Sequence, residues 1–306
     1  MSKDKMQSQA VQTTGHAWDG DLQEYNNPLP RWWIWTFYLS ILFAVLYWIW
    51  FPAWPVAKSF TPGVGKITYV DAKGVTKTTG WNTRADLMRE MNELAAIQKP
   101  FFDKVAAQPY AAIAKDPDLN NFIASAGKQL FADNCATCHQ AGGQGKIGFF
   151  PNLADDDWLY GGSFEKIQET LIQGRRGYMP PFGEALSSEQ IDLLAHYVLT
   201  LSGEKMDAAK ADAGKALFHS ETAGCFYCHG DDARGRPVIG APNLTDKIWL
   251  WANVPGETAQ EKKLAAVQNV IKSGLNKGVM PAWGQRLKPE QIKVLTVYVH
   301  ELGGGK

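Results

Sequence analysis

The apolar residues divide the chain into a polar start, one long apolar run and a periodic remainder. Residues 1–31 are polar and show no apolar period, so we expect a short N-terminal tail. The run from Trp32 to Phe51 is 20 residues long, carries no charge and is interrupted only by Thr36 and Ser40. At about 1.5 Å per residue, a helix of this length spans roughly 30 Å, the hydrocarbon thickness of a bilayer. The pattern predicts a membrane-spanning helix.

Tryptophans stand at both ends of this run, as is typical of the two interfaces of a membrane. A cleaved signal peptide would have a shorter apolar region of about 7–15 residues and a small-residue cleavage site. The sequence Phe51-Pro52-Ala53-Trp54-Pro55 is a poor site of that kind. A buried core helix would not need tryptophan at both ends. We therefore expect a retained single-pass anchor over residues 32–54.

A linker and a helical segment are expected over residues 55–118. Glycines, a proline and short β-prone pieces over residues 59–82 favour a loop or a small hairpin. Residues 83–107 have helical spacing, although Pro100 should break or kink the helix.

The remainder of the chain is one pattern that occurs twice. Ordered repetition of this kind indicates two copies of one domain, which we place at 119–203 and 204–306. The fold class expected is mainly α, with one N-terminal transmembrane helix followed by the two tandem domains. The matching segments are Gly127-Lys128-Gln129-Leu130-Phe131 with Gly214-Lys215-Ala216-Leu217-Phe218, Pro151-Asn152-Leu153 with Pro242-Asn243-Leu244, and Gly177-Tyr178-Met179-Pro180 with Gly278-Val279-Met280-Pro281.

Each copy ends in a well-marked amphipathic helix. Ser187 and Gln190 fit a capping box for a helix over 188–202, and Pro289 suits the first position of its counterpart. Each copy also contains a pair of cysteines, Cys135 and Cys138 in the first and Cys225 and Cys228 in the second. We expect each closing helix to cross the helix that leads into the cysteine pair of its own copy.

The charges are balanced, since Lys+Arg and Asp+Glu both number 31, so nothing favours nucleic acid as a partner. The run Asp155-Asp156-Asp157 is either a docking face for a basic partner, whether a donor protein or a subunit, or an ordinary surface.

All four cysteines lie in two pentapeptides of the form C-x-x-C-H. This motif is the signature of covalent c-type haem attachment, in which two thiols bind the porphyrin and the histidine ligates iron. We therefore predict two covalently bound haem c groups. The motifs are Cys135-Ala136-Thr137-Cys138-His139 and Cys225-Phe226-Tyr227-Cys228-His229.

Three other uses of these cysteines fit less well. A redox-active dithiol is expected beside a βαβ pattern, which neither motif has. A shared zinc ion would need the two pairs closer together than the 87 positions between Cys138 and Cys225. A chain of 306 residues can build its core without disulfides.

Met179 and Met280 are the candidate second iron ligands. Methionine usually fills a core, but here it recurs at the same place in both copies, each time followed by proline. Methionine opposite histidine fills both faces of the iron and raises its reduction potential, which argues against a peroxidase. We expect His196, His219 and His300 to be packed or surface residues. For Arg175, Arg176, Arg234 and Arg236, haem propionate binding and solvated charge both stay open.

These features resemble the dihaem subunit III, CcoP, of cbb3-type cytochrome c oxidases. The resemblance rests on Asn26-Asn27-Pro28-Leu29-Pro30-Arg31-Trp32-Trp33 before the anchor, both cysteine motifs and both Met-Pro loops. It implies that Cys135, Cys138, His139 and Met179 hold one haem, and that Cys225, Cys228, His229 and Met280 hold the other.

The resemblance also implies partners. Electrons would come from a soluble cytochrome c or the bc complex and pass to a monohaem cytochrome c subunit and a haem–copper subunit that reduces oxygen. No copper or oxygen site is expected in this chain, so it would not be an enzyme by itself. A free-standing membrane-tethered dihaem shuttle and a dihaem peroxidase are the alternatives.

The charges flanking the anchor do not decide its orientation. In bacteria, c-type haem is attached outside the inner membrane. We therefore expect the haem domains in the periplasm and the N-terminus in the cytoplasm.

Overall fold

The computed structural model describes residues 12–276 and 278–303. The first eleven residues of the predicted tail lie outside the described residues. The chain divides into two compact units, Met1–Ile97 and Gln98–Lys306, and the long helix α2 (Thr83–Ala107) belongs to both. This helix continues through Pro100, so of the predicted break or kink, the break does not occur there.

The first unit contains antiparallel hairpins, one apolar helix and the first part of α2. The tail is not irregular throughout, because residues 13–25 form a hairpin whose side chains are all exposed. The predicted linker hairpin is present in the described chain, with its strands in antiparallel register from Lys66↔Gly80 to Val70↔Thr76. The elements are β1 (Thr13–Trp18), β2 (Leu22–Tyr25), α1 (Arg31–Trp50), β3 (Pro55–Val56), β4 (Ser59–Phe60), β5 (Lys66–Val70) and β6 (Thr76–Gly80).

Helix α1 has the length and apolar composition of a membrane span, and none of its residues is buried in the protein. Its two aliphatic hydroxyls are hydrogen-bonded within the helix. Thr36 Oγ1 donates to the Trp32 carbonyl at 2.8 Å, and Ser40 Oγ donates to the Phe37 carbonyl at 2.7 Å. Hydrocarbon offers no hydrogen-bond partner, so this arrangement suits a helix surrounded by lipid.

The regular structure of the second unit is almost entirely helical. Helix α7 begins with the predicted capping box of Ser187 and Gln190, and α11 begins at Pro289. The elements are α3 (Tyr110–Ile113), α4 (Pro117–Asn134), α5 (Ala136–His139), α6 (Phe164–Gln173), β7 (Arg175–Arg176), α7 (Ser188–Leu201), α8 (Ala208–Phe218), α9 (Cys225–His229), α10 (Gln260–Ser273), β8 (Val279–Met280) and α11 (Pro289–Gly303).

The closing helices are exchanged between the two sequence copies. Helix α7 packs against α8 and α10, whereas α11 packs against α4 and α6. The ring of Tyr197 in α7 lies 5.3 Å from that of Phe218 in α8, and Tyr298 in α11 lies 5.6 Å from Phe131 in α4. Our expectation that each closing helix crosses the motif helix of its own copy was therefore wrong. The short connection from α7 to α8 makes these two helices neighbours.

Each hydrophobic core consequently joins residues from both copies. One core combines α7, α8 and α10, and a second combines α4, α6 and α11. A third core covers another face of α11, where Val294 and Val297 pack against Val105 and Ile113. Helix α11 is thus enclosed on two sides, although it lies at the end of the chain.

The acidic run Asp155–Asp157, for which docking and an ordinary surface were both left open, is partly buried where the two copies meet. Burial raises the pKa of Asp157 to about 6, and the negative charges of Asp246, Asp155 and Asp156 add to this effect. Burial also raises the pKa of Asp155 and of Asp246. Docking of a basic donor at this run stays a hypothesis, with Asp156 as its exposed member.

The exchanged packing can be tested with two matched core substitutions. Leu295 in α11 and Leu194 in α7 are buried to the same degree, so each Leu→Ala change should cost about 2–5 kcal/mol. Leu295→Ala should raise amide hydrogen exchange in α4 and α6, and Leu194→Ala should raise it in α8 and α10. The reverse distribution of exchange would contradict the exchange of helices.

Asp157 should make stability depend on pH. Its folded pKa of about 6 exceeds its ordinary value of 3.8, so its favourable contribution is present below about pH 4 and is lost as pH rises through about 6. Because the side chain is only half-buried, Asp157→Asn should stabilise the protein by roughly 1 kcal/mol at about pH 8 and by little at about pH 4. Thermal unfolding at both pH values measures this. Equal effects at the two pH values would contradict it, and the exposed control Asp156→Asn should have the smaller effect.

Candidate functional site

Both cysteine motifs and both predicted methionines line one cavity of about 690 Å³ in the second unit. The rest of the lining is mainly apolar, with phenylalanine, leucine, isoleucine and tryptophan side chains. A large apolar cavity with a few convergent polar groups is typical of a cofactor site. The predicted site residues that line it are Cys135, Cys138, His139, Met179, Cys225, Cys228, His229 and Met280.

The two histidines of the motifs are oriented in the same way. His139 Nδ1 lies 3.1 Å from the carbonyl oxygen of Pro151, and His229 Nδ1 lies 3.0 Å from that of Pro242. A carbonyl can only accept, so Nδ1 carries the proton and Nε2 keeps a free lone pair for a metal. Burial lowers the pKa of both histidines, which favours the neutral imidazole that ligation requires.

The Pro-Asn-Leu repeat therefore has a role that sequence reasoning did not assign. It supplies the carbonyl groups that fix both imidazoles. The occurrence of this tripeptide in both copies was the signal that the sequence offered. It could not indicate this role, because a backbone carbonyl acceptor does not depend on the type of side chain.

Each methionine packs against the core beside the cysteine motif of the other copy, whereas we expected it beside the motif of its own copy. Met280 packs against the core that contains Phe131 and Cys135, and Met179 packs against the core that contains Phe218. The partly buried Cys225 packs against the same core as Met179. The sequence-based grouping of Met179 with the first motif and of Met280 with the second does not describe this packing.

Backbone pairing explains why the methionine segments cross. Strand β7 follows α6 and pairs with β8, so that Arg175 lies opposite Met280. Met179 exchanges two backbone hydrogen bonds of 2.8 Å with Leu275, which follows α10. Each segment is therefore held at the end of a helix from the other copy.

The cavity also contains a polar group without a partner. Trp158 Nε1 is buried, lines the cavity and has no hydrogen-bond partner among the described residues. Such a donor fits an acceptor group of a bound ligand, such as a porphyrin carboxylate. Together with paired thiols, neutral imidazoles, thioethers and apolar walls, it fits haem c.

One of the four candidate arginines lines the cavity in the part of the chain that is described. Arg175 donates to Thr170 Oγ1 and Glu169 Oε1, both at 2.9 Å, and its guanidinium lies 4.7 Å from the centre of the Tyr160 ring. The remaining candidates, Arg176, Arg234 and Arg236, are exposed.

Other uses of the cysteines fit the structure poorly. Burial raises the pKa of Cys135 and of Cys225 to about 11, whereas redox-active thiols have a lowered pKa. All four cysteines are free. Across residues 12–276 and 278–303, no group of three His, Cys, Asp or Glu side chains could hold a metal ion.

The remaining histidines of the second unit are occupied elsewhere. His196 and His219 face backbone carbonyls, and His300 stacks on Phe164 with ring centres 3.9 Å apart. None of the three belongs to the described lining of the cavity.

Comparison with known proteins gives matches over both units. A family model described as cytochrome c oxidase, cbb3-type, subunit III matches residues 123–198 and 209–299. A second model, the N-terminal domain of cytochrome oxidase-cbb3, FixP, matches residues 10–58.

Similar curated proteins cover nearly the whole chain. The cbb3-type cytochrome c oxidase subunit FixP of Azorhizobium caulinodans is 43% identical over 96% of this chain and 94% of its own length. The FixP subunit of Bradyrhizobium sp. is 44% identical over 96% and 95%. The CcoP subunit of Rhodobacter capsulatus is 40% identical over the full length of both chains.

The cytochrome c domains imply bound haem c, and the apolar helix α1 fits a membrane anchor. The motifs, the cavity and the full-length similarity agree, and the chain belongs to the family of subunit III of cbb3-type cytochrome c oxidases.

Proposed function

We propose that the cavity holds two covalently bound haem c groups. Cys135 and Cys138 would attach one of them, and Cys225 and Cys228 would attach the other. His139 and His229 would ligate the irons through Nε2, because their Nδ1 atoms face backbone carbonyls. The observation that carries this proposal is the convergence of both motifs on one apolar cavity.

The second ligands are assigned crosswise. Met280 would ligate the iron bound at the first motif, and Met179 the iron bound at the second. Met280 packs against the core that contains Cys135, and Met179 packs against the same core as Cys225, which supports this assignment. A haem ligated by histidine and methionine takes up and releases single electrons and has no open position for a substrate.

The role of the chain would be electron transfer within an oxidase complex. It would accept electrons from a soluble c-type cytochrome or the bc complex and deliver them to a monohaem cytochrome c subunit and the haem–copper subunit that reduces oxygen. The names of the relatives as oxidase subunits support this role. The chain's own residues bind the haems, orient the imidazoles and exclude water.

Helix α1 would anchor the chain in the bacterial inner membrane as a single span. The haem-bearing unit would lie in the periplasm and the N-terminus in the cytoplasm. The site of c-type haem attachment, outside the inner membrane, supports this orientation, and the exposed apolar surface of α1 supports the span.

The crosswise ligation can be tested in chains that keep one haem. In a full-length chain with Cys225→Ala and Cys228→Ala, Met280→His should abolish the methionine-to-iron charge-transfer band of the remaining ferric haem and lower its midpoint potential. Met179→His in the same chain is the matched control and should leave the band in place. Loss of the band with Met179→His, and its retention with Met280→His, would instead support ligation within each copy.

The oxidase role can be tested by purification in mild detergent through a C-terminal tag. A subunit should co-purify with copper and b-type haem, which metal analysis and a pyridine haemochrome assay would detect. A chain that purifies with c-type haem and neither of these would be a free-standing electron shuttle.

A further inference from the structure

Each methionine segment passes close to one glycine as it enters the cavity. Gly174 follows α6 with φ +71°, and Gly274 follows α10 with φ +63°. Both φ angles lie in a region that glycine occupies easily and that residues with a Cβ rarely adopt. The two glycines thus hold equivalent places in the two copies.

A side chain at either glycine would meet the backbone of the crossing segment. A Cβ on Gly174 would lie 2.8 Å from Ala282 N and 2.9 Å from Pro281 C, and closer still to the Met280 carbonyl oxygen. These contacts are shorter than real Cβ atoms make. The atoms are backbone, so no flexible side chain can move aside.

Gly274 has the same relation to the other methionine segment. A Cβ there would lie 2.5 Å from the Met179 carbonyl oxygen and 2.7 Å from Pro180 C. In both cases the glycine of one copy therefore lies beside the Met-Pro segment of the other copy.

Hydrogen bonds on both sides of each glycine hold the crossing segment in place. Before Gly174, the Leu171 carbonyl accepts from Trp283 N–H at 2.9 Å, and after it Arg175 pairs with Met280. Around Gly274, the Ile271 carbonyl accepts from Phe182 N–H at 3.1 Å, while Leu275 pairs with Met179. The backbone hydrogen bonds fix the direction of each methionine segment. Because glycine has no side chain, the segment can approach the end of the helix closely.

We propose that Gly174 and Gly274 are positioning residues that set how closely the proposed methionine ligands would approach the haem iron. Gly174 acts on Met280 and therefore on the haem of the first motif, and Gly274 acts on Met179 and the haem of the second. The assignment rests on the crosswise ligation proposed above. An added methyl group would push the Met-Pro segment away from the cavity, so the sulfur–iron bond would lengthen or break.

Gly174→Ala and Gly274→Ala test this in the full-length haem-loaded protein. Each should remove the methionine-to-iron charge-transfer band of one haem, lower the midpoint potential of that haem and increase the affinity of the ferric iron for added imidazole. The haem that changes is identified in chains whose other motif has both cysteines replaced by alanine. Gly174→Ala should act on the first haem and Gly274→Ala on the second.

Gly203→Ala is the matched control. Gly203 also follows a helix, α7, and has φ +90°, but the nearest described atom to the place its Cβ would take is Lys247 Cε at 3.8 Å. It lies outside the described lining of the cavity, so this variant should keep the band, the potentials and the imidazole affinity of the parent protein.

The outcomes separate this proposal from the one on which it rests. If Met280→His and Met179→His change the bands but neither glycine variant changes band, potential or imidazole affinity, the positioning role is wrong and the ligation stands. If the methionine variants change nothing, the ligation itself is wrong. Failure of both glycine variants to accumulate with covalent haem, while Gly203→Ala does, would also overturn the positioning role in favour of a general structural one.

Discussion

The architecture of the second unit depends on the pairing of each methionine segment with the end of a helix from the other sequence copy. Met179 is hydrogen-bonded to Leu275, and Met280 is paired with Arg175. Each methionine segment is therefore held against the other sequence copy. Once a segment has crossed, the helix that follows it must pack on that side. Helix α7 therefore completes the core of α8 and α10, and α11 completes that of α4 and α6. Two local pairings thus determine where two long helices lie.

This exchange explains how two small repeats form one body. A domain of about 85–100 residues buries little apolar surface by itself. In the exchanged arrangement, every core of the unit draws on residues far apart in sequence, and α11 is buried on two faces. The cavity is also common to both motifs. Each proposed haem site would take its histidine from one copy and its methionine from the other, so one copy alone would complete neither.

The sequence predicted most of the elements and the parts of the site. The apolar run, the capping box at Ser187 and the two motifs have strong local signatures, and α1, α7 and the cavity lining agree with them. The exchange could not be predicted from the repeat, since a closing helix needs the same apolar stripe whichever copy it covers. The short link between α7 and α8 was the one available indication. The hairpin over residues 13–25 was also missed, because all its side chains are exposed and leave no alternating pattern.

The exchange of the methionine segments also affects how rigidly the proposed iron ligands are held. An iron that passes single electrons works best when its ligands stay in place in both oxidation states, so the groups that hold them must be rigid. Here the imidazoles are fixed by backbone carbonyls of Pro151 and Pro242, and the methionine segments by strand-like pairs. Backbone bonds of this kind do not depend on side-chain rotamers. The same segments connect the α4, α6 and α11 group to the α7, α8 and α10 group, so a movement of one group relative to the other would displace both methionines. The packing that keeps the unit folded therefore also holds the proposed ligands in position.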